Sequence, residues 1–144
     1  MNGPRPISRE RYRVFYPIST RWQDNDIYGH VNNVTYYSYF DSAVNRYLIE
    51  EGGLDIHHAP VVGYVVNSSC DYRAAIAYPE EIEAGLRVEK LGNSSVTYGV
   101  GIFRRDGEEA CAVGSFTHVF VDRVENRSVA IPPRIRMALE ALLK

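Results

Sequence analysis

The chain has 144 residues with a formal net charge of −2, and 45% of its residues are hydrophobic against 24% charged. That is ordinary for one soluble globular domain able to bury roughly two-thirds of its unfolded surface. The balance excludes a broad basic face for nucleic acid, and no run approaches the ~18 apolar residues of a membrane span.

The first nine residues are polar and Pro-rich and predict a loose tail; with no apolar run ahead of Arg11 they do not read as a secretory leader. The expected compartment is the cytoplasm, where Cys70 and Cys111 would stay reduced. Tyr12, Val14, Tyr16 and Ile18 alternate and predict a first strand, with Pro17 placing it at an edge or a bulge. The stretch from Asp24 to Asn33 is dense in turn formers. From Val34 to Glu51 the apolar residues Tyr36, Tyr37, Phe40, Ala43, Val44, Tyr47 and Leu48 recur at helical spacing. Asn32 or Asn33 can cap that helix, and Gly52-Gly53 can stop it.

Strand patterns follow. Val61 to Arg73 is rich in Val and Tyr, and Ile82, Ala84, Leu86 and Val88 alternate. Val96, Tyr98, Val100 and Ile102 alternate on one face with Gly99 and Gly101 on the other. Glycines at such positions admit a close neighbour, and the expected visitor is the long helix. Ala110 to Asp122 is the last strand run, and Pro132-Pro133 opens a short amphipathic helix with Ile135, Ala138, Leu139 and Leu142 on one stripe. Strand, helix, four strands and a closing helix predict one α+β domain over 1–144, an antiparallel sheet against one long helix.

Chemistry concentrates between Arg21 and Asn33. Two carboxylates, a histidine and a glycine turn stand directly before a helix N-terminus. Unpaired N–H groups there can polarise a carbonyl oxygen, and a nearby carboxylate can act on that carbonyl as base or nucleophile. Plain capping is the competing use of Asp and Asn at such a place. Asp24 is expected to be structural, paired with Arg21 or capping the loop. A calcium loop fails, because Tyr28 and Thr35 occupy later ligand positions. His30, His57, His58 and His118 lack the companions of a zinc site, so no metal is expected. No P-loop, G-x-G-x-x-G or G-x-S-x-G motif occurs.

The run Asp24-x-Asp26-x-x-Gly29-His30-Val31-Asn32-Asn33-x-x-Tyr36 resembles the 4-hydroxybenzoyl-CoA thioesterase-like family of hotdog proteins. Asp71-Tyr72-Arg73, Gly92 to Val96, His118 to Asp122 and Ile131-Pro132-Pro133 extend the resemblance along nearly the whole chain. It implies a hotdog fold, a curved antiparallel sheet wrapped around one central helix, and hydrolysis of acyl-CoA. It further implies Asp26 as the catalytic carboxylate, the Asn33 N–H as receiver of the thioester oxygen, and Gly29 as the turn between them. His30 matches a histidine of related plant acyl-carrier-protein thioesterases, although Tyr28 stands where those carry an asparagine; a structural hydrogen bond is its other expected role.

CoA would be part of the substrate, so no separate cofactor is expected. Its phosphates need cations, for which Arg73, Arg87 and Lys90 are candidates, with Ser94 and Ser95 for the pantetheine arm. The family resemblance and an open sheet edge imply a homodimer or homotetramer. Alternatives are a non-catalytic acyl-CoA or lipid-binding hotdog protein, and hydrolysis of acyl groups carried on acyl carrier protein.

Overall fold

A computed structural model describes residues 5–143. Five strands form one antiparallel sheet: β1 (Val14–Ser19), β2 (Val61–Tyr72), β3 (Glu81–Leu91), β4 (Ser95–Arg104) and β5 (Ala112–Asp122), in the spatial order β1-β3-β4-β5-β2. The long helix α1 (Thr35–Glu50) lies across one face, and α2 (Pro133–Glu140) closes the chain. This is the expected hotdog arrangement.

The inner face follows from strand alternation. Ala84, Leu86 and Val88 stand opposite Ile102, Val100 and Tyr98, and those residues in turn face Ala112, Gly114 and Phe116. Opposite residues in an antiparallel pair share a face, so these positions build one apolar layer. From α1, Phe40, Val44 and Leu48 insert into it with no exposed surface, each contributing roughly 2 kcal/mol by burial. Ser38, Asp41, Ser42 and Arg46 take the solvent side of the helix. His118 is the buried polar exception on this layer. Its Nδ1 lies 3.3 Å from the Tyr98 hydroxyl, and burial pushes the imidazole down to about 4, so it is neutral and structural.

The glycine expectation is corrected. The helix sits on the face of Tyr98 and Val100, whereas Gly99 faces Arg87 and Glu89, and Gly101 faces the ring of Tyr12. The helix makes its close approach at Gly114 of β5, where Phe40 occupies the place of a Cβ. The reason is alternation itself: the glycines of β4 point away from the layer that the helix must cover.

The loose-tail expectation also needs correction. Ser8 bridges to Glu109, and Arg9 binds the Gly107 carbonyl at 2.7 Å and Glu83 at 2.6 Å. Ile7, Tyr12 and Phe15 form a second small core with Phe103 on the outer face. The glycines of β3 and β4 make room for this segment. Residues 1–4 of the expected tail lie outside the described residues.

β1 and β2 are the two edges. Pro17, which cannot donate a ladder hydrogen bond, lies on the first of them as expected. β2 is long and open on its outer side, with Tyr64, Val65 and Val66 45%, 46% and 59% exposed.

Candidate active site

The loop before α1 has two halves. In the first, a short 3-10 turn over Trp22–Asp24 carries Asp24 inward until it is 1% exposed. Its carboxylate accepts the Arg21 N–H at 2.9 Å, the Arg21 guanidinium at 2.9 and 3.0 Å, and the Tyr39 hydroxyl at 2.7 Å. Burial alone would raise its pKa; the hydrogen bonds from Tyr39 and Arg21 outweigh that and hold it below the ordinary carboxylate value. Asp24 is thus the structural carboxylate, paired with Arg21.

The second half is a tight turn. The Gly29 N–H donates to the Asp26 carbonyl at 3.1 Å, and the Asp26 N–H donates to the His30 carbonyl at 2.9 Å. Gly29 has φ +84°, a left-handed conformation that disfavours a Cβ. Inside the turn, Asp26 Oδ1 accepts the Tyr28 N–H at 2.9 Å. Among the described residues Oδ2 accepts nothing. Asp26 is half-buried, so one oxygen is held while the other remains available.

The chain then enters the helix through a tightened turn. The Thr35 N–H donates to Asn32 O at 2.9 Å and the Tyr36 N–H to Asn33 O at 3.3 Å. Asn32 caps the end, its side-chain oxygen taking the Val34 N–H at 3.0 Å. The Asn33 N–H donates to no described group, as an orphan N–H at a helix start does.

Asp26, His30 and Asn33 open on one cavity of about 490 Å³, whose far wall is Tyr72, Arg73 and Ala74 from the end of β2. Tyr36 forms its floor; burial pushes its phenol up to about 12, so it stays protonated. The Tyr36 ring meets Tyr72 edge-on at 5.1 Å and Tyr39 at 5.9 Å, which ties the floor to Asp24. The cavity is therefore lined by Asp26 and Asn33, whose carboxylate Oδ2 and backbone N–H bond to no described group, together with the aromatic Tyr36 and Tyr72 and the cationic Arg73. A carbonyl compound bound between them could be polarised at oxygen and attacked at carbon.

The expected residues divide. Asp26, His30, Asn33 and Arg73 meet at this cavity, and Gly29 shapes the turn. The His30 side chain is exposed and makes no hydrogen bond to the described residues; its structural contribution is its carbonyl. Arg73 uses one guanidinium nitrogen on the Arg5 carbonyl and pairs with no carboxylate among the described residues, and its Nε is buried without a partner. Arg87 lies instead on the outer face of β3 beside Gly99. Lys90, Ser94 and Ser95 stand around the β3–β4 turn, where Ser94 and Ser95 carbonyls accept the N–H groups of Phe120 and Gly92. The eleven residues of β3 put that turn about 30 Å from the cavity end of the strand. One chain does not bring these four residues to the site. Charge and turn chemistry alone could not reveal which end of the sheet each would occupy.

Tyr72 is the residue whose role the sequence concealed. Its hydroxyl donates to the Asn33 carbonyl at 2.9 Å, joining two elements 39 residues apart. An aromatic at a strand end carries no signal of such a partner.

A family model described as the thioesterase-like superfamily matches residues 20–139. Among solved structures, the PA5185 protein from Pseudomonas aeruginosa strain PAO1 is 63% identical with a TM-score of 0.94, covering 96% of each chain. A thioesterase from Thermus thermophilus, complexed with coenzyme A and zinc, is 29% identical with a TM-score of 0.77 over 93% of this chain and 96% of that one. A 1,4-dihydroxy-2-naphthoyl-CoA thioesterase from Synechocystis is 17% identical with a TM-score of 0.80 over 89% and 96% of the two chains, a likeness of fold alone. The match runs from the loop that holds Asp26 through the sheet to the last helix, and the chain belongs to the thioesterase-like superfamily.

Proposed function

We propose that the protein is a thioesterase that hydrolyses acyl-CoA to a free acid and CoA. The observation that carries this reading is that Asp26 and Asn33 line one cavity, and that an Asp26 carboxylate oxygen and the Asn33 N–H bond to no described group. The thioester carbonyl oxygen accepts from the Asn33 N–H. Asp26 takes a proton from a water whose oxygen forms a bond to the carbonyl carbon, and the carbonyl π electrons move onto oxygen. Collapse breaks the C–S bond, and the thiolate of CoA leaves and is protonated. Direct attack by Asp26 would instead form a mixed anhydride that water cleaves. One turnover in ¹⁸O-water detects direct attack in which water opens the anhydride at the Asp26 carbon: the product then carries the unlabelled oxygen of Asp26, and ¹⁸O enters the Asp26 carboxylate.

Arg73 is the cation best placed for a CoA phosphate, because it lines the cavity and has no carboxylate partner among the described residues. The coenzyme A held by the Thermus thermophilus thioesterase supports CoA as the carrier. The working form we infer is a homodimer or a larger homo-oligomer. A long apolar edge such as β2 is a template for pairing with a second copy. No described helix is long and apolar enough to cross a membrane, which accords with a cytoplasmic enzyme.

The test is release of free thiol from aromatic, short-chain and long-chain acyl-CoA by the purified protein. Turnover on at least one class is expected; binding of acyl-CoA without thiol release on any of them overturns hydrolysis in favour of simple binding.

A further inference from the structure

We propose that Tyr72 is a positioning residue for thioester hydrolysis, its hydroxyl latching the Asn33–Val34 peptide so that the Asn33 N–H faces the cavity. The inference rests on the reading that this N–H receives the carbonyl oxygen. Two peptide planes meet at Asn33. The first contains Asn32 O and the Asn33 N–H; its carbonyl is tied to the Thr35 N–H at 2.9 Å. The second contains Asn33 O and the Val34 N–H. Its N–H is tied locally to the Asn32 side chain at 3.0 Å, and its carbonyl takes the Tyr72 hydroxyl at 2.9 Å. Asn33 O also receives the Tyr36 N–H, at a longer 3.3 Å. Of these bonds, the one from Tyr72 alone comes from outside the turn.

Packing does little of this work. Asn33 is exposed and Val34 is 73% exposed, so the buried Val31 and Tyr36 fix the turn by apolar contact only at its two ends. Tyr72 is 43% exposed and is held at two points. It pairs with Ala112 at the end of the β2–β5 ladder, and its ring rests edge-on against the buried Tyr36. The latch therefore ties a solvent-facing turn to the end of β2. An oxyanion donor stabilises the transition state to the extent that its direction is fixed beforehand. Losing the latch should thus slow the chemical step and leave ground-state binding nearly untouched.

Tyr72→Phe deletes one oxygen and keeps the ring on Tyr36. Removing a neutral hydrogen bond worth about 1 kcal/mol corresponds to a loss of about fivefold in kcat on the best acyl-CoA. KM, and affinity for a thioether analogue that cannot be hydrolysed, should stay within about twofold of wild type, the level expected when a change acts only on the transition state. The ¹H–¹⁵N resonance of Asn33 should shift. An unchanged kcat in Tyr72→Phe, with Asp26→Asn inactive, overturns the latch and leaves the hydrolytic reading standing. A raised KM at unchanged kcat also overturns it, because Tyr72 would then be binding substrate. Full turnover by a folded Asn33→Pro variant removes the reading that this N–H receives the oxygen, and the latch falls with it.

Discussion

Asp24 and Asp26 are two residues apart in one loop, yet their surroundings are opposite. Asp24 is 1% exposed, with both carboxylate oxygens occupied by Arg21 and Tyr39. Asp26 is half-buried at the cavity, with one oxygen held by the Tyr28 N–H and the other accepting nothing among the described residues. A carboxylate whose acceptor sites are filled stabilises the loop and has little capacity left for chemistry. One with a spare oxygen facing a cavity can take a proton or attack a carbonyl. The same contrast separates the two asparagines that follow. Asn32 spends its N–H on Asp24 O and its side chain on the cap, whereas the Asn33 N–H donates to no described group.

The sharpest way to break this comparison is to remove each charge in turn. Asp26→Asn should fold, bind acyl-CoA and lose turnover by roughly a hundredfold or more, the scale of a lost general base. Steady-state thiol release measures it, and near-normal turnover in the folded variant would reject Asp26. Asn33 comes next. Asn33→Pro removes the donor and should cost about a hundredfold in kcat, whereas Asn33→Ala keeps the N–H and should cost far less. Equal, severe losses in both folded variants would transfer the role to the Asn33 side chain.

Asp24→Asn should act on stability instead. It weakens charge-assisted bonds to an Arg21 that is itself largely exposed, so the expected loss is about 2 kcal/mol, with a milder effect on turnover. Because the folded pKa of Asp24 lies below its unfolded value, its contribution is present above the unfolded value and is lost as pH falls through the folded one. Acid unfolding below about pH 4 should be less steep in Asp24→Asn than in wild type. An unchanged acid limb would mean that the pair contributes nothing. The smallest effect is expected at Gly29, where an added Cβ meets nothing within 4 Å and the cost is φ +84° alone. Gly29→Ala should lower stability by about 1 kcal/mol in thermal melts.

Much of the fold was legible because its signals are local. The spacing of Phe40, Val44 and Leu48 requires a helix whatever lies opposite, and the alternation from Ile82 to Val88 and from Val96 to Ile102 requires strands with one apolar face. The loop of Asp26, Gly29 and Asn33 was legible for the same reason, since its turn and its unused N–H arise from contiguous residues. What only the tertiary structure decided are the partners set by strand order. That order places β2 beside β5, far from β1, and so brings Tyr72 and Arg73 against a loop some forty residues earlier while it leaves Arg87, Lys90, Ser94 and Ser95 elsewhere. The tertiary structure also put the helix on the Tyr98 and Val100 face of β4, gave Gly101 to Tyr12 and bound the N-terminal segment to the outer face. A residue's periodicity reports which side of its own element it occupies; which other element waits on that side depends on contacts between distant parts of the chain, and those are settled only when the sheet assembles.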